Sequence, residues 1–387
     1  MGAASAGRKI ISENVTKAGV VIASARRART LMPLFVCLLA LFAVAPASFT
    51  QEHTRPRKAS RDDGAQSPTG QQSKPDAESV GDDEVVRINA SEVLVPATVR
   101  DSSGRLVADL TRKDFRIFED GREQPLSDLS LRQVPLDVAL LVDASSSVAE
   151  SFEDFRRAAE QFAARLDTED RFCLVKFDDR VELLLDWTQS RLQLRRALAR
   201  LSTGVFTRFN DALLLSAREQ FRAGERRRAL VVLSDGIDSN RGSATAEAAL
   251  RALLQSQVAV YAISNTEIER ARKQAELDNL LAGSDSTVRF NQLRIGDLRE
   301  SLRVLSESEA NLAGLTQATG GRLYKPQSFD ALDRVYTEIA DELRHQYALY
   351  YTPTNPARDG RFRRVRVEVP GHDYQVTTRV GYYAPRH

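Results

Sequence analysis

From residue 135 onward the chain alternates between two hydrophobic rhythms. Short unbroken apolar runs (DVALLVDAS, RFCLVKFD, VELLLDWT, RALVVLSDG, VAVYAIS) read as strands, most of them buried on both faces. Between them lie segments whose apolar residues recur every three or four positions, the stripe of an amphipathic helix: VAESFEDFRRAAEQFAARL, SRLQLRRALARL, FNDALLLSAREQF, SATAEAALRALLQS and FDALDRVYTEIADELRHQ. SEANLAGLTQATGG reads as a further helix stopped by glycine, and GRLYKP as a short strand. The alternation predicts an α/β fold: a doubly wound, mostly parallel sheet over residues 135–344, with helices on both faces. Ligands of such sheets sit beyond the carboxyl ends of the strands, the edge where this reading puts both Asp143 and Asp235.

The flanks follow different patterns. Residues 85–130 alternate apolar and polar positions, with turn compositions at Asp101–Gly104 and Asp120-Gly121, which predicts a small β unit of about four strands. Residues 345–387 predict about three more, with turns at Asn355-Pro356, Asp359-Gly360 and Pro370-Gly371; they either pair with that unit or extend the central sheet. Residues 265–305 alternate charge at helical spacing, an insertion of one or two helices near the sheet's rim. Residues 48–84 hold Pro, Gly, Ser, Gln and charge with almost no large apolar side chain, so they cannot bury enough surface to order themselves and read as a linker.

Ahead of the linker, six basic groups and a single acid within residues 1–30 lead into LMPLFVCLLALFAVAPA, residues 31–47. That order, ending in the small-x-small Ala45-Pro46-Ala47, reads residues 1–47 as a signal peptide, with an uncleaved membrane anchor as the alternative. The expected location is therefore periplasmic, extracellular or on the cell envelope. The 387-residue chain carries a net charge of +2, and with its basic leader set aside the remainder is close to neutral, so bulk charge gives no argument for nucleic acid and none is expected as a partner. Cys173, inside RFCLVKF, is the one cysteine beyond the leader and reads as a small buried hydrophobe, so no disulfide framework supports the fold.

Chemistry concentrates in three segments. After its apolar run, Asp143 is followed at alternate positions by Ser145 and Ser147; Thr207 stands in TRFNDALLL just before a helix; Asp235 stands in VVLSDGIDS before a turn-permitting glycine. One carboxylate and two hydroxyls at a strand tip suit a hard divalent cation, which takes oxygen ligands and keeps several waters. Taken singly, each has a plainer reading: Ser145 and Ser147 as helix caps, Asp235-Gly236 as a turn. Asp178, Asp179 and Asp238 near the same edge read as turn residues.

DASSS, TRFNDA and LSDG, in this order on this strand–helix pattern, resemble the metal-ion-dependent adhesion site of von Willebrand factor type A domains. The likeness is greatest to a bacterial subgroup common in Acidobacteria, whose flanking signatures resemble VPATVRDSSGRLVADLTRKDFRIFEDGREQ, ATGGRLY and GYYAP. It covers about residues 85–385, least well over the insertion. The resemblance implies a metal held by Asp143, Ser145, Ser147, Thr207 and Asp235. Mg²⁺ is the expected ion, or Mn²⁺ or Ca²⁺ by availability. A protein partner's Asp or Glu completes the coordination. Where the family often has glycine before the threonine, this chain has Val205-Phe206.

The function expected is metal-dependent protein binding, not catalysis, with an envelope assembly scaffold carrying an unused site as the alternative. A magnesium phosphohydrolase is a distant third, because the second carboxylate such enzymes need two residues after the first is replaced by Ser145. A serine hydrolase lacks a G-x-S-x-G elbow, and none of His53, His345, His372 and His387 stands where a base is needed.

Overall fold

The computed structural model describes residues 92–130, 134–145, 152–221 and 226–386. The segments read as signal peptide or anchor (1–47) and as linker (48–84), together with Ser147, lie outside the described residues. Among the described residues no helix is long and apolar enough to cross a membrane.

The chain begins with β1 (Val93–Arg100), β2 (Arg116–Glu119), β3 (Arg122–Gln124) and β4 (Leu126–Ser130). The α/β portion follows: β5 (Leu136–Asp143), α1 (Phe152–Arg165), β6 (Arg171–Phe177), β7 (Val181–Thr188), α2 (Arg191–Leu198), α3 (Phe209–Leu215), β8 (Arg227–Leu233), α4 (Ala246–Gln255) and β9 (Ala259–Ile263). It continues through α5 (Thr266–Leu281), α6 (Asp285–Phe290), α7 (Gln292–Thr319), β10 (Leu323–Tyr324) and α8 (Leu332–Arg344). The chain closes with β11 (Tyr347–Tyr351), β12 (Phe362–Glu368), β13 (Gln375–Thr378) and β14 (Gly381–Tyr383).

The central sheet has the order β10-β9-β8-β5-β6-β7, parallel except for β7 at its edge. Alternate residues of β5 serve opposite faces. Leu136, Val138, Leu140 and Val142 pack with α1, α2 and α8, while Ala139 and Leu141 pack with α3, α4 and α7. Helix starts follow local chemistry: Ser190 accepts the Gln193 amide at the head of α2, and Thr245 that of Ala248 at the head of α4. The helical pattern read over FNDALLLSAREQF ends its α geometry at Leu215 and continues as a π-turn over Ser216–Gln220.

The two flanks pair with one another. β13-β1-β11-β4 and β14-β12-β2-β3 form two antiparallel sheets that enclose a separate core of Val95, Val99, Ile117, Tyr347, Leu349 and Val367 among others. The C-terminal segment holds four strands where the pattern suggested about three, because the run YQVTTRVGYYAP changes sheets midway: β13 pairs with β1 and β14 with β12. Buried Glu342 of α8 ties this sandwich to the central sheet, pairing with Arg100 of β1 at 2.5 Å and accepting from the Tyr324 hydroxyl at 3.3 Å.

The insertion also differs from its sequence reading. Instead of separate rim helices followed by a new helix at SEANLAGLTQATGG, α7 runs unbroken for 28 residues. Its first half packs on α5 through Ile295 and Leu298 against Leu277; its second half returns to the central sheet at Leu312. Gly296 and Gly314 do not interrupt it. It stops at Gly320, whose φ of +80° and close approach to the Arg379 amide exclude a side chain.

Candidate metal centre

Strands β5 and β8 are parallel neighbours in register at Val142 and Leu233, and the chain departs to opposite sides of the sheet from this pair. The crevice beyond their carboxyl ends is the topological switch point. Asp143, the last residue of β5, is 2% exposed. Its Oδ1 accepts the Ser145 amide at 2.9 Å and its Oδ2 accepts the Ser234 hydroxyl at 2.7 Å. The Ser234 Oγ in turn accepts the Gly236 amide at 3.0 Å, so one carboxylate of β5 organises the loop after β8.

Asp235 stands between those two residues, with its Oδ1 accepting the Ile237 amide at 2.9 Å and its backbone carbonyl accepting from Ser308 of α7. Gly236 has a φ of +73°, and a Cβ there would lie 2.7 Å from Leu312 Cγ, so only glycine lets α7 close over the loop.

The third segment is pinned on both sides. Gly204 pairs with Ser145 in a short parallel bridge, its amide donating to the Ala144 carbonyl at 2.8 Å. Three residues on, Thr207 exchanges two hydrogen bonds with Ser239, each 2.9 Å: its amide to the Ser239 Oγ, and the Ser239 amide to its carbonyl. Asp143, Ser145, Thr207 and Asp235 therefore stand on loops hydrogen-bonded to one another at one sheet edge.

The electrostatics of this edge favour a cation. Burial raises the proton affinity of the Asp143 carboxyl, opposed by its hydrogen bonds, with the Asp178 charge a smaller contribution in the same direction. Asp235 is pushed up to about 7, first by burial and then by the charge of Asp143. Two carboxylates that resist ionising together are stabilised by positive charge placed between them. Among the described residues no group of three or more His, Cys, Asp or Glu side chains is arranged to hold a metal. Oxygen donors of this kind fit a hard divalent cation, and few direct carboxylates would leave it electrophilic.

A family model for the von Willebrand factor type A domain matches residues 137–302. The chain carries a von Willebrand factor type A domain. Such domains are generally interaction modules and typically bind a divalent metal. Among solved structures, proximal thread matrix protein 1 from the mussel byssus is similar at 15% identity over 61% of this chain and 51% of that one, with a TM-score of 0.41. A further structure of that mussel protein is described as having a zinc-occupied MIDAS motif (16% identity, 58% of this chain and 49% of that one, TM-score 0.40). A von Willebrand factor type A protein from Catenulispora acidiphila is similar at 10% identity over 77% of this chain and 74% of that one, with a TM-score of 0.41. The chain spans about half the length of the mussel structures it matches. No curated protein sequence matches the chain significantly.

Around the type A domain's edge, several acids position loops. Asp179 accepts the Val205 and Phe206 amides at 3.3 and 2.9 Å, and Asp238 accepts those of Asn210 and Asn240 at 2.8 and 2.7 Å. Asp178 pairs with buried Lys176 at 2.8 Å and accepts the Arg180 amide at 3.0 Å. Two contributors escaped the sequence reading. Ser234 supports Asp143, and Asp211 accepts the Ala244 amide at 2.7 Å in a space so tight that a Cβ on Gly242 would lie 2.3 Å from its carboxylate. Ser234 had a signal, a hydroxyl immediately before Asp235 in a buried strand end. Asp211 had none, because its partners lie more than thirty residues away.

Proposed function

We propose that this chain is an exported protein-binding module in which a divalent cation at the type A domain's strand edge receives a carboxylate from a protein partner. Asp143, Ser145, Ser147, Thr207 and Asp235 would hold the ion, directly or through water, with Mg²⁺ expected and Mn²⁺ or Ca²⁺ able to replace it. The observation that carries this reading is the pair of carboxylates, Asp143 and Asp235, whose proton affinities burial raises, that of Asp235 further through the charge of Asp143, at a switch point lined by hydroxyls. When bound, the cation supplies an electrophilic position that a carboxylate can occupy; the protein's part is to orient the oxygens and keep the loops fixed. Export rests on the basic-then-apolar order of residues 1–47.

The test is retention of the protein on an immobilised glutamate-bearing peptide, with Mg²⁺ and with a chelator. The reading predicts retention that needs the cation and that Ser145→Ala abolishes. Retention indifferent to both would favour an envelope scaffold whose metal site is unused.

A further inference from the structure

The loop that carries Thr207 holds Val205 and Phe206 between Gly204, which bridges to Ser145, and Thr207 itself. Val205 is 72% exposed and Phe206 40% exposed, although both are large and apolar. Flexibility does not explain their exposure, because Asp179 accepts both of their amides. With Asp179, Arg208 and Arg241 they line a surface hollow of about 470 Å³. The Arg241 guanidinium lies 4.7 Å from the centre of the Phe206 ring, a cation–π arrangement that orients the planar group while its N–H edges stay available. Among the described residues no ion pair involves Arg241. Arg208 reaches Asp211 only at 3.8 Å, and its buried Nε has no hydrogen-bond partner. The acids on the neighbouring loops are already engaged: Asp179 by the Val205 and Phe206 amides, Asp211 by those of Ser243 and Ala244, and Asp238 by those of Asn210 and Asn240.

We infer that this hollow is a second subsite of the same binding edge, and that it selects an acidic partner segment. One carboxylate of the segment takes the cation. A second carboxylate a few residues away pairs with Arg208 and Arg241, while an apolar side chain between them packs on Val205 and Phe206. This rests on the metal-dependent reading above and names the partner's chemistry. Two guanidiniums offering planar donors match a carboxylate better than any other common side chain, and the adjoining apolar surface excludes water from the pair. Val205-Phe206, the departure from the family's glycine-rich loop, then has a purpose: it exchanges loop freedom for a fixed apolar wall.

The test uses the full chain and two blocked synthetic peptides, one with a single glutamate among glycines, the other with a leucine flanked by two glutamates. Binding is measured with saturating Mn²⁺, and Mn²⁺ binding is measured separately. The inference predicts that the two-glutamate peptide binds about tenfold tighter, as expected for a charge-assisted pair with apolar support. Arg241→Gln should reduce that preference to about twofold, the loss of one charged donor, and leave Mn²⁺ affinity and single-glutamate binding unchanged. Arg208→Gln should act in the same direction. Equal binding of both peptides by a protein that binds Mn²⁺, or a preference untouched by Arg241→Gln, would overturn the subsite and spare the metal site. Failure to bind Mn²⁺ at all would overturn both.

Discussion

Proton competition gives the metal site a quantitative signature. Asp235 is pushed up to about 7 by burial and by the Asp143 charge, so near neutral pH it is divided between its two protonation states. A cation requires the ionised form, and each ion bound must displace the fraction of a proton still present. With one such group, about nine in ten sites are ionised at about pH 8 and about one in ten at about pH 6. The apparent affinity for Mg²⁺ should therefore fall about tenfold between those values, equivalent to about 1.4 kcal/mol. Calorimetric titrations in buffers of different ionisation enthalpy should show about half a proton released per ion at about pH 7. Asp143→Asn removes the repelling charge, so Asp235 should ionise at lower pH and the dependence should shift with it, while overall affinity weakens. In the metal-free fold an acid with a raised pKa holds a proton that the unfolded chain has released, so this group's contribution is lost as pH rises from the ordinary carboxylate range through about 7. Saturating Mg²⁺ should remove that loss. Affinity that stays flat between about pH 6 and 8, without proton release, would refute the reasoning.

Two further substitutions probe the support around the site. Ser234→Ala deletes the hydroxyl that donates to Asp143 Oδ2 and strands the Gly236 amide. It should weaken metal binding about tenfold and cost about 1–3 kcal/mol in urea unfolding. Glu342→Ala leaves Arg100 without its buried partner, so the chain should lose about 3–5 kcal/mol, with the sandwich unfolding before the central sheet. Tyrosine fluorescence and far-ultraviolet dichroism followed through the same denaturant series would register any separation of the two transitions.

Most of the central fold was legible because its signals are local. Apolar runs such as DVALLVDAS cannot face water on either side, and their alternation with helical stripes leaves few architectures. The same logic placed Asp143 and Asp235 at a common edge. The continuity of α7 was hidden because its apolar stripe serves two partners: Ile295 and Leu298 face α5, whereas Leu312 faces the sheet and Gly236. The change of partner resembles the end of one helix and the beginning of another. The sheet change between β13 and β14 was equally hidden, since no turn residue marks Arg379, and what holds the crossing is tertiary. Val380 donates its amide to the Ala318 carbonyl, and Arg379 reaches the Leu94 carbonyl at 2.6 Å. At the site, the loop-holding work of Asp179 and Asp211 depends on amides remote in sequence, which no spacing rule reveals. The basic runs ERRRAL and RFRRVRVEV have structural parts that spacing does not reveal either. Arg227 donates to the Val134 carbonyl at 2.9 Å, and Arg363 pairs with Asp359 at 3.2 Å.

The central claim is that Asp143, Ser145 and their neighbours form a divalent-cation site. Its most direct test is a calorimetric titration of Mg²⁺ and Mn²⁺ into the wild-type chain and into the Asp143→Ala/Ser145→Ala double variant, with circular dichroism to establish that both are folded. The account predicts one ion per chain for the wild type and none for the variant. Equal binding by a folded variant would place any cation elsewhere and contradict the account.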